Sequence, residues 1–499
     1  MRLNRTVGCV AIAFLLAVAR CAGAQSEQPP IPHWAAVVHQ LALKVHDTGP
    51  NSSSTGVFPP VIGQTLPSVD RTGIVETYNL AAPTNTATNP FFQSLGRNGR
   101  ACATCHEPRS AWGVSAESIQ LRFLLSGGTD PIFRVVDGAT CSNDDVSTLF
   151  KRFKAYSLLL SKGLIRIFLP LPATADFVIT KVNDPYGCTD LSSTTPTVSV
   201  YRRPLPSANL HFLTGCPAGQ TTCAPLSIMW DGREASLQSQ AIDATLGHAQ
   251  AANPPSPTQV AQIVSFESSI FDAQEFDFEA GLLHSQGATG GPQALSQQDF
   301  FIGINDSLSA GFDPNVFTLY DAWQNQPNPD RASVARGEAI FNTREFTVSG
   351  VNGLNLFSTD PLGANPLTTG TCTTCHDSPN VGNHSKKLAL NIGVADAIPP
   401  VLDVSGLPVF TVACTDTTGP LAGQIFNVTD LGKAMISGNC ADVGKVKGPI
   451  LHGLAARAPY FHNGSAHSLE DVVNFYDQRF AIGFSDQDKQ DLVAFLGTL

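Results

Sequence analysis

The stretch ACATCHEP places Cys102, Cys105 and His106 in the spacing C-x-x-C-H, and TCTTCHDS repeats it at Cys372, Cys375 and His376. In this pentapeptide the two thiols add across the vinyl groups of a haem, and the adjacent imidazole binds the iron. With 12 Cys and 12 His in 499 residues, chance would supply roughly 0.007 such matches per chain. Two matches are therefore not accidental. A disulfide-closed turn or half a zinc site explains them less well, because a zinc ribbon pairs two C-x-x-C motifs about 15–20 residues apart. Here the motifs stand far apart and each brings its own His. Two covalently bound haem c groups are expected.

A pair of haems can carry electrons, or one can feed chemistry at the other. Electron carriers commonly hold iron between His and Met. Beyond the initiator, this chain has only Met229, beside Trp230, and Met435, in GKAMISGNC. That is too little Met for two His/Met haems to be the comfortable reading. One iron is expected to have Tyr, His or an open position, and an open position is what chemistry requires.

The elements that must position these groups can be read more coarsely. Arg2 and Arg5 precede an apolar run from Val10 to Ala19, then Ala22-Gly23-Ala24. This is the pattern of a cleaved signal peptide over residues 1–24, too short to span a bilayer. Export to the periplasm is expected, with no membrane span in the mature chain. Net charge is −11 and no basic run occurs, which argues against nucleic acid. Six cysteines remain after the signal and haem cysteines are set aside: Cys141, Cys188, Cys216, Cys223, Cys414 and Cys440. In an oxidising compartment they suggest up to three disulfides. Proximity favours Cys216–Cys223 and Cys414–Cys440, which leaves Cys141–Cys188.

NQPNPD, residues 325–330, reads as a linker. It divides an N-terminal haem domain, 25–325, from a C-terminal one, 331–499. RASVARGEAIFNT looks like the opening helix of the second domain, with Ala335, Ala339 and Ile340 on one face. LIRIFLPLP, DFVITKV and PTVSVYRRPLP read as short strands or irregular loop in an insertion of the first domain. SLEDVVNFYDQ and SDQDKQDLVAFLGTL each begin with an S-x-x-D capping arrangement and read as helices. The fold class expected is mainly α: two cytochrome c-type haem domains with a small β-containing insertion in the first.

With both haem motifs, MWDGREASLQSQA (229–241) and KGPILHGLAARAPYFHNGSAHSLEDVVNFY (447–476) on the page, the chain resembles the bacterial di-haem cytochrome c peroxidases and the related enzyme MauG. The spacings between motifs are longer than in that family. The resemblance implies that the N-terminal haem, with His106 as proximal ligand, meets peroxide. It implies that Trp230 lies between the haems; the plainer reading is a core aromatic. Gln240 matches a Gln of the peroxide pocket, but the family Glu ten residues on is here Gln250. His248, two residues earlier, is then a substitute acid/base, an added ligand closing the haem, or a surface His. For the second haem, Tyr476 stands where the peroxidases place Met and MauG places Tyr. Its plainer reading is the inward face of a helix. His462 supports haem 2 or is a buried structural His.

The resemblance also implies a calcium between the haems, with Asn209 and the carbonyl of Pro459 as donors, although Arg457 replaces a family Thr beside it. Arg233 and Glu234 flank Trp230 as support or as an ion pair. The function expected is a periplasmic di-haem peroxidase reducing hydrogen peroxide at haem 1 with electrons relayed from haem 2. Its donor would be a small cytochrome c or cupredoxin, and family members often dimerise. Alternatives are MauG-like oxidation of a partner protein, oxygenation of an apolar substrate, and a non-catalytic di-haem electron carrier.

Overall fold

Three capped helices build the core of the C-terminal half. The computed structural model describes residues 58–216, 227–356, 369–386 and 388–499; the expected signal peptide and Cys223 lie outside them. Ser468 caps Leu469–Phe480 by accepting from the Asp471 amide, and Ser485 caps Asp486–Gly497 from the Asp488 amide. Each is a capping box that satisfies otherwise orphaned first-turn N–H groups. Asn328 caps Pro329–Thr343. That helix buries Val334, Ala335, Glu338 and Phe341, a face rotated from the expected Ala335, Ala339 and Ile340. The cause is Gly337. A Cβ there would lie 2.0 Å from the Asp491 carbonyl oxygen, so this helix crosses Asp486–Gly497 at backbone contact. Phe317 then packs edge to face on Phe341 and on Phe495, which meet each other at a tilt, around the crossing.

The fold is mixed α/β, not mainly α: the described residues form 28% helix and 18% strand. Strands are not confined to an insertion. Thr65–Val69, Gly73–Asn79, Ile270–Asp277 and Gly281–Leu282 make a four-stranded antiparallel sheet in the N-terminal half. Gly73–Asn79 alternates buried and half-buried residues, as a strand with one covered face does. Ile270–Asp277 follows the helix Pro257–Ser269 without a break, so turn punctuation does not announce it.

The three stretches read as strands do form Ile165–Pro170, Phe177–Asn183 and Thr197–Arg202. Their partners are the surprise. Ile165–Pro170 pairs with Thr197–Arg202, but Phe177–Asn183 pairs with Val409–Cys414, whose other neighbour is Ile425–Val428. Disulfides Cys141–Cys188 and Cys414–Cys440, both expected, brace this region. Beneath it, Arg202 is buried between Asp430, Nε to Oδ2 2.6 Å, and Asp231, Nη1 to Oδ2 2.5 Å. Among the described residues no helix is long and apolar enough to cross a membrane.

Candidate functional site

The two C-x-x-C-H segments fold identically. Each is a single tight turn, Cys102–Thr104 and Cys372–Thr374, closed by a Thr hydroxyl that accepts from the backbone N–H three residues earlier, at 2.9 Å in both. The following His amide donates to the first Cys carbonyl, at 3.1 and 3.2 Å. Two thiols and one imidazole thereby face one space. Cys102, Cys105 and His106 line a cavity of about 180 Å³, and Cys372, Cys375 and His376 line a second of about 220 Å³.

Haem fits both on the chemistry of the donors. The Nδ1 of His106 lies 2.8 Å from the Trp112 carbonyl, and that of His376 lies 2.6 Å from the Gly382 carbonyl. A carbonyl only accepts, so Nδ1 carries the proton and Nε2 is left for iron, the usual orientation of a metal-binding His. Burial lowers both imidazole pKa values against these hydrogen bonds, which favours the neutral ligand form. The four thiols are free while other cysteines form disulfides. Burial pushes Cys102, Cys372 and Cys375 up to about 12.

In the first cavity, Gln240 and His248 line the wall from the helix Leu237–Gly247 and its C-terminal cap. His248 Nδ1 is 2.5 Å from Asp137 Oδ2, and the other Asp137 oxygen binds Arg100 Nη1. Burial opposes ionisation of Asp137, but Arg100 and His248 overcome it and hold the carboxyl below its ordinary value. Asn98 and Arg100 both donate to the His248 carbonyl, at 2.8 and 3.3 Å. Gln250 is absent from the cavity wall; its amide oxygen accepts from Asn98 at 3.4 Å.

Sequence reasoning missed Glu267 here. It lines the cavity, is 3% exposed, and its Oε1 has no partner. Burial raises it to about 8. The signal was available: Glu267 takes an inward position in a helix that buries Val260, Ile263 and Phe266.

Tyr476 lines the second cavity from the helix Leu469–Phe480, with its ring near Phe475 and Phe480. Burial, then the neighbouring Cys375 and Cys372 thiols, push its phenol upward. Met435 is not at this cavity. It is 2% exposed in the strand-lined cluster with Val198 and Phe410, its sulfur 3.6 Å from Arg202 Nη2. His462 lines the cavity, fully enclosed, with neither ring nitrogen hydrogen-bonded, Nε2 3.7 Å from Asp430 Oδ2, and burial lowering it to about 4. His384, also missed, lines the same cavity with Nδ1 2.8 Å from Asp377 Oδ2.

Trp230 lines both cavities. Its indole N–H donates to the Arg203 carbonyl at 2.8 Å, its carbonyl accepts from the Lys447 amide at 2.8 Å, and its ring meets His462 edge-on at 6.0 Å. Arg233 pairs with Asp231 at 3.0 Å, not with Glu234, whose backbone instead bridges Ile228.

The residues named for calcium do not fit it. Asn209 uses both amide atoms on the Asp272 backbone, Nδ2 to the carbonyl at 2.8 Å and Oδ1 from the amide at 2.9 Å. Near Pro459, the Arg457 carbonyl accepts from Arg203 Nη1 at 2.6 Å. Calcium takes 6–8 oxygens, and two guanidiniums oppose it.

Residues 446–482 match the model of a family described as RoxA-like, cytochrome c-like. The cytochrome-c peroxidase IdrP2 of Denitromonas iodatirespirans is 35% identical over 137 residues, 26% of this chain and 36% of that one. The cytochrome-c peroxidase IdrP1 of Pseudomonas sp. (strain SCT) is 40% identical over 81 residues, 14% and 21% of the respective chains. The chain is similar to these cytochrome-c peroxidases over limited stretches, and it spans about a third of the length of the IdrP2 relative. Among solved structures, a MauG-like protein associated with microbial copper homeostasis aligns at 14% identity and a TM-score of 0.36, over 89% of this chain and 94% of that one. A variant of the diheme peroxidase BthA from Burkholderia thailandensis aligns at 14% and 0.31, over 88% and 95%.

Proposed function

We propose that this chain is a periplasmic di-haem c-type peroxidase that reduces hydrogen peroxide to two waters with two protons and two electrons. One haem is held by Cys102, Cys105 and His106, the other by Cys372, Cys375 and His376. These haems supply peroxide binding at iron and storage of the redox equivalents. The observation that carries the reading is the Asp137–His248 pair in the wall of the first cavity.

Asp137 accepts from Nδ1–H of His248, so the ring is held in one tautomer with Nε2 free to take a proton. An imidazole so oriented moves a proton between the two peroxide oxygens, which an amide does poorly. Gln240, in the wall of the same cavity, would donate to a bound oxygen. Trp230, which lines both cavities, would be the electron route between them, and a small cytochrome c or cupredoxin would be the donor. The haem regions 25–325 and 331–499 act as the two functional units, and a homodimer is the expected assembly.

MauG-like oxidation of a partner protein or organic substrate is the second reading. Its support is Tyr476 in the second cavity with Met435 outside it. A stoichiometric peroxide titration of the fully reduced protein, followed by optical and electron paramagnetic resonance spectra, tests the proposal. Loss of two electrons per peroxide with a high-spin first haem supports it. Two low-spin, six-coordinate irons and no reaction would remove it in favour of an electron carrier.

A further inference from the structure

The wall common to the two cavities holds Arg203, Lys447 and Arg457 beside Trp230, and it contains no carboxylate. Among the described residues the other buried cations, Arg166 excepted, pair with a carboxylate. Arg100 has Asp137, Arg122 has Glu107 and Asp130, Arg202 has Asp231 and Asp430, and Lys162 has Asp403. No carboxylate of the described residues lies within ion-pair distance of Arg203, Lys447 or Arg457. Arg203 is 7% exposed and Arg457 is 8% exposed.

Their hydrogen bonds go to neutral acceptors. Arg203 donates to the carbonyls of Arg457 and Val114, and its Nε has no partner. Arg457 donates to the Ile450 carbonyl at 2.6 Å. Burial lowers all three, Arg203 to about 9, Arg457 to about 10 and Lys447 to about 8; Arg457 also repels Arg203, while the more distant Asp272 and Asp231 offset burial only in part at Arg457 and Lys447. Uncompensated charge in such a place is strongly unfavourable unless an anion joins it. The set is therefore one half of an ion pair. Its missing half must be reachable from both cavities at once.

Each haem brings two propionates, on the ring edge opposite its thioether attachments. We propose that Arg203, Lys447 and Arg457 form one clamp that receives a propionate carboxylate from each haem and ties both rings to the wall that holds Trp230. Bidentate carboxylate binding suits Arg457, while Arg203, whose Nη1 and Nη2 already hold the carbonyls of Arg457 and Val114, and Lys447 act as charges beside it. The clamp rests on the two-haem reading above. It adds a property that neither cavity has alone: the same charges act on both haems. Positive charge at a propionate favours the reduced iron, so removing one cation lowers both midpoint potentials together.

The experiment is spectroelectrochemical titration and resonance Raman spectroscopy of the haem-loaded Lys447→Gln and Arg457→Gln proteins. Lys433→Gln, an exposed change of equal charge, is the control. A pyridine haemochrome count on the same samples reports two haems or fewer, which keeps failure of the two-haem reading separate. With two haems present, both midpoints are expected to fall and the propionate bands of both haems to shift in the clamp variants only. A response of one haem alone, of neither, or equally in Lys433→Gln overturns the clamp. So does a wild-type protein whose potentials move with added acetate or phosphate at fixed ionic strength, because the cations then hold a free anion. Lys447 is only partly buried, so its variant carries the test if substitution of Arg457 prevents folding.

Discussion

At the scale of single residues, His248 was legible only as a choice among three roles. What separates them is Asp137, 111 residues away in sequence, which no local pattern connects to it. An imidazole fixed by a buried carboxylate is a positioned group, whereas a surface His would be free to turn. His248→Gln is expected to lower kcat/KM for peroxide by about 10²–10⁴-fold, the usual worth of a general acid/base. Asp137→Asn should cost roughly 10–100-fold, as loss of an orienting partner does. Steady-state assays on proteins with unchanged haem content measure both, and an undiminished rate in His248→Gln would return that residue to the surface reading. Tyr476 is a separate case. With Tyr476 as the proposed ligand, its replacement by Met should raise the second haem's potential by part of the roughly 0.8 V that axial ligands command. Potentiometry of Tyr476→Met that finds no change removes Tyr476 from the iron.

At the scale of elements, the capped helices were readable because their signals are local. Ser468 with Asp471 and Ser485 with Asp488 announce both helix starts within four residues. The strand Ile270–Asp277 was not readable, because it continues a helix directly and its partners, Gly73–Asn79 and Gly281–Leu282, include a distant one. The rotated face of Pro329–Thr343 was likewise hidden, since a glycine in a helix does not reveal what crosses it. Gly337→Ala puts a methyl against the Asp491 backbone. Overpacking of this kind costs about 1–3 kcal/mol. Thermal unfolding should shift down by several degrees, while the C-x-x-C-H turns, which Gly337 does not touch, keep their haem.

At the scale of the whole molecule, the haem motifs made two sites legible but not how the halves are joined. That joining rests on the pairing of Phe177–Asn183 with Val409–Cys414 and on Arg202 between Asp231 and Asp430. Burial opposes ionisation of both aspartates, yet Arg202 overcomes it and holds them below their ordinary value. A depressed carboxylate stabilises the fold fully above its unfolded pKa, about 3.9, and that stabilisation is lost as pH falls toward the folded value. Acid unfolding followed by circular dichroism should therefore begin below about pH 4. Asp430→Asn leaves Arg202 under-neutralised and should cost about 3–5 kcal/mol at neutral pH. A variant as stable as the parent in denaturant would show that the network is not what joins the halves.

The wall shared by the two cavities also bears on whether either half could stand alone. Its residues come from 203–206, from Trp230 and from 447–457, so the first cavity borrows one side from sequence far beyond its own C-x-x-C-H motif. A fragment ending before Lys447 would keep Cys102, Cys105 and His106 but present them to an open trough. The first site is thus the property of the complete chain, and cutting the two halves apart would unmake it.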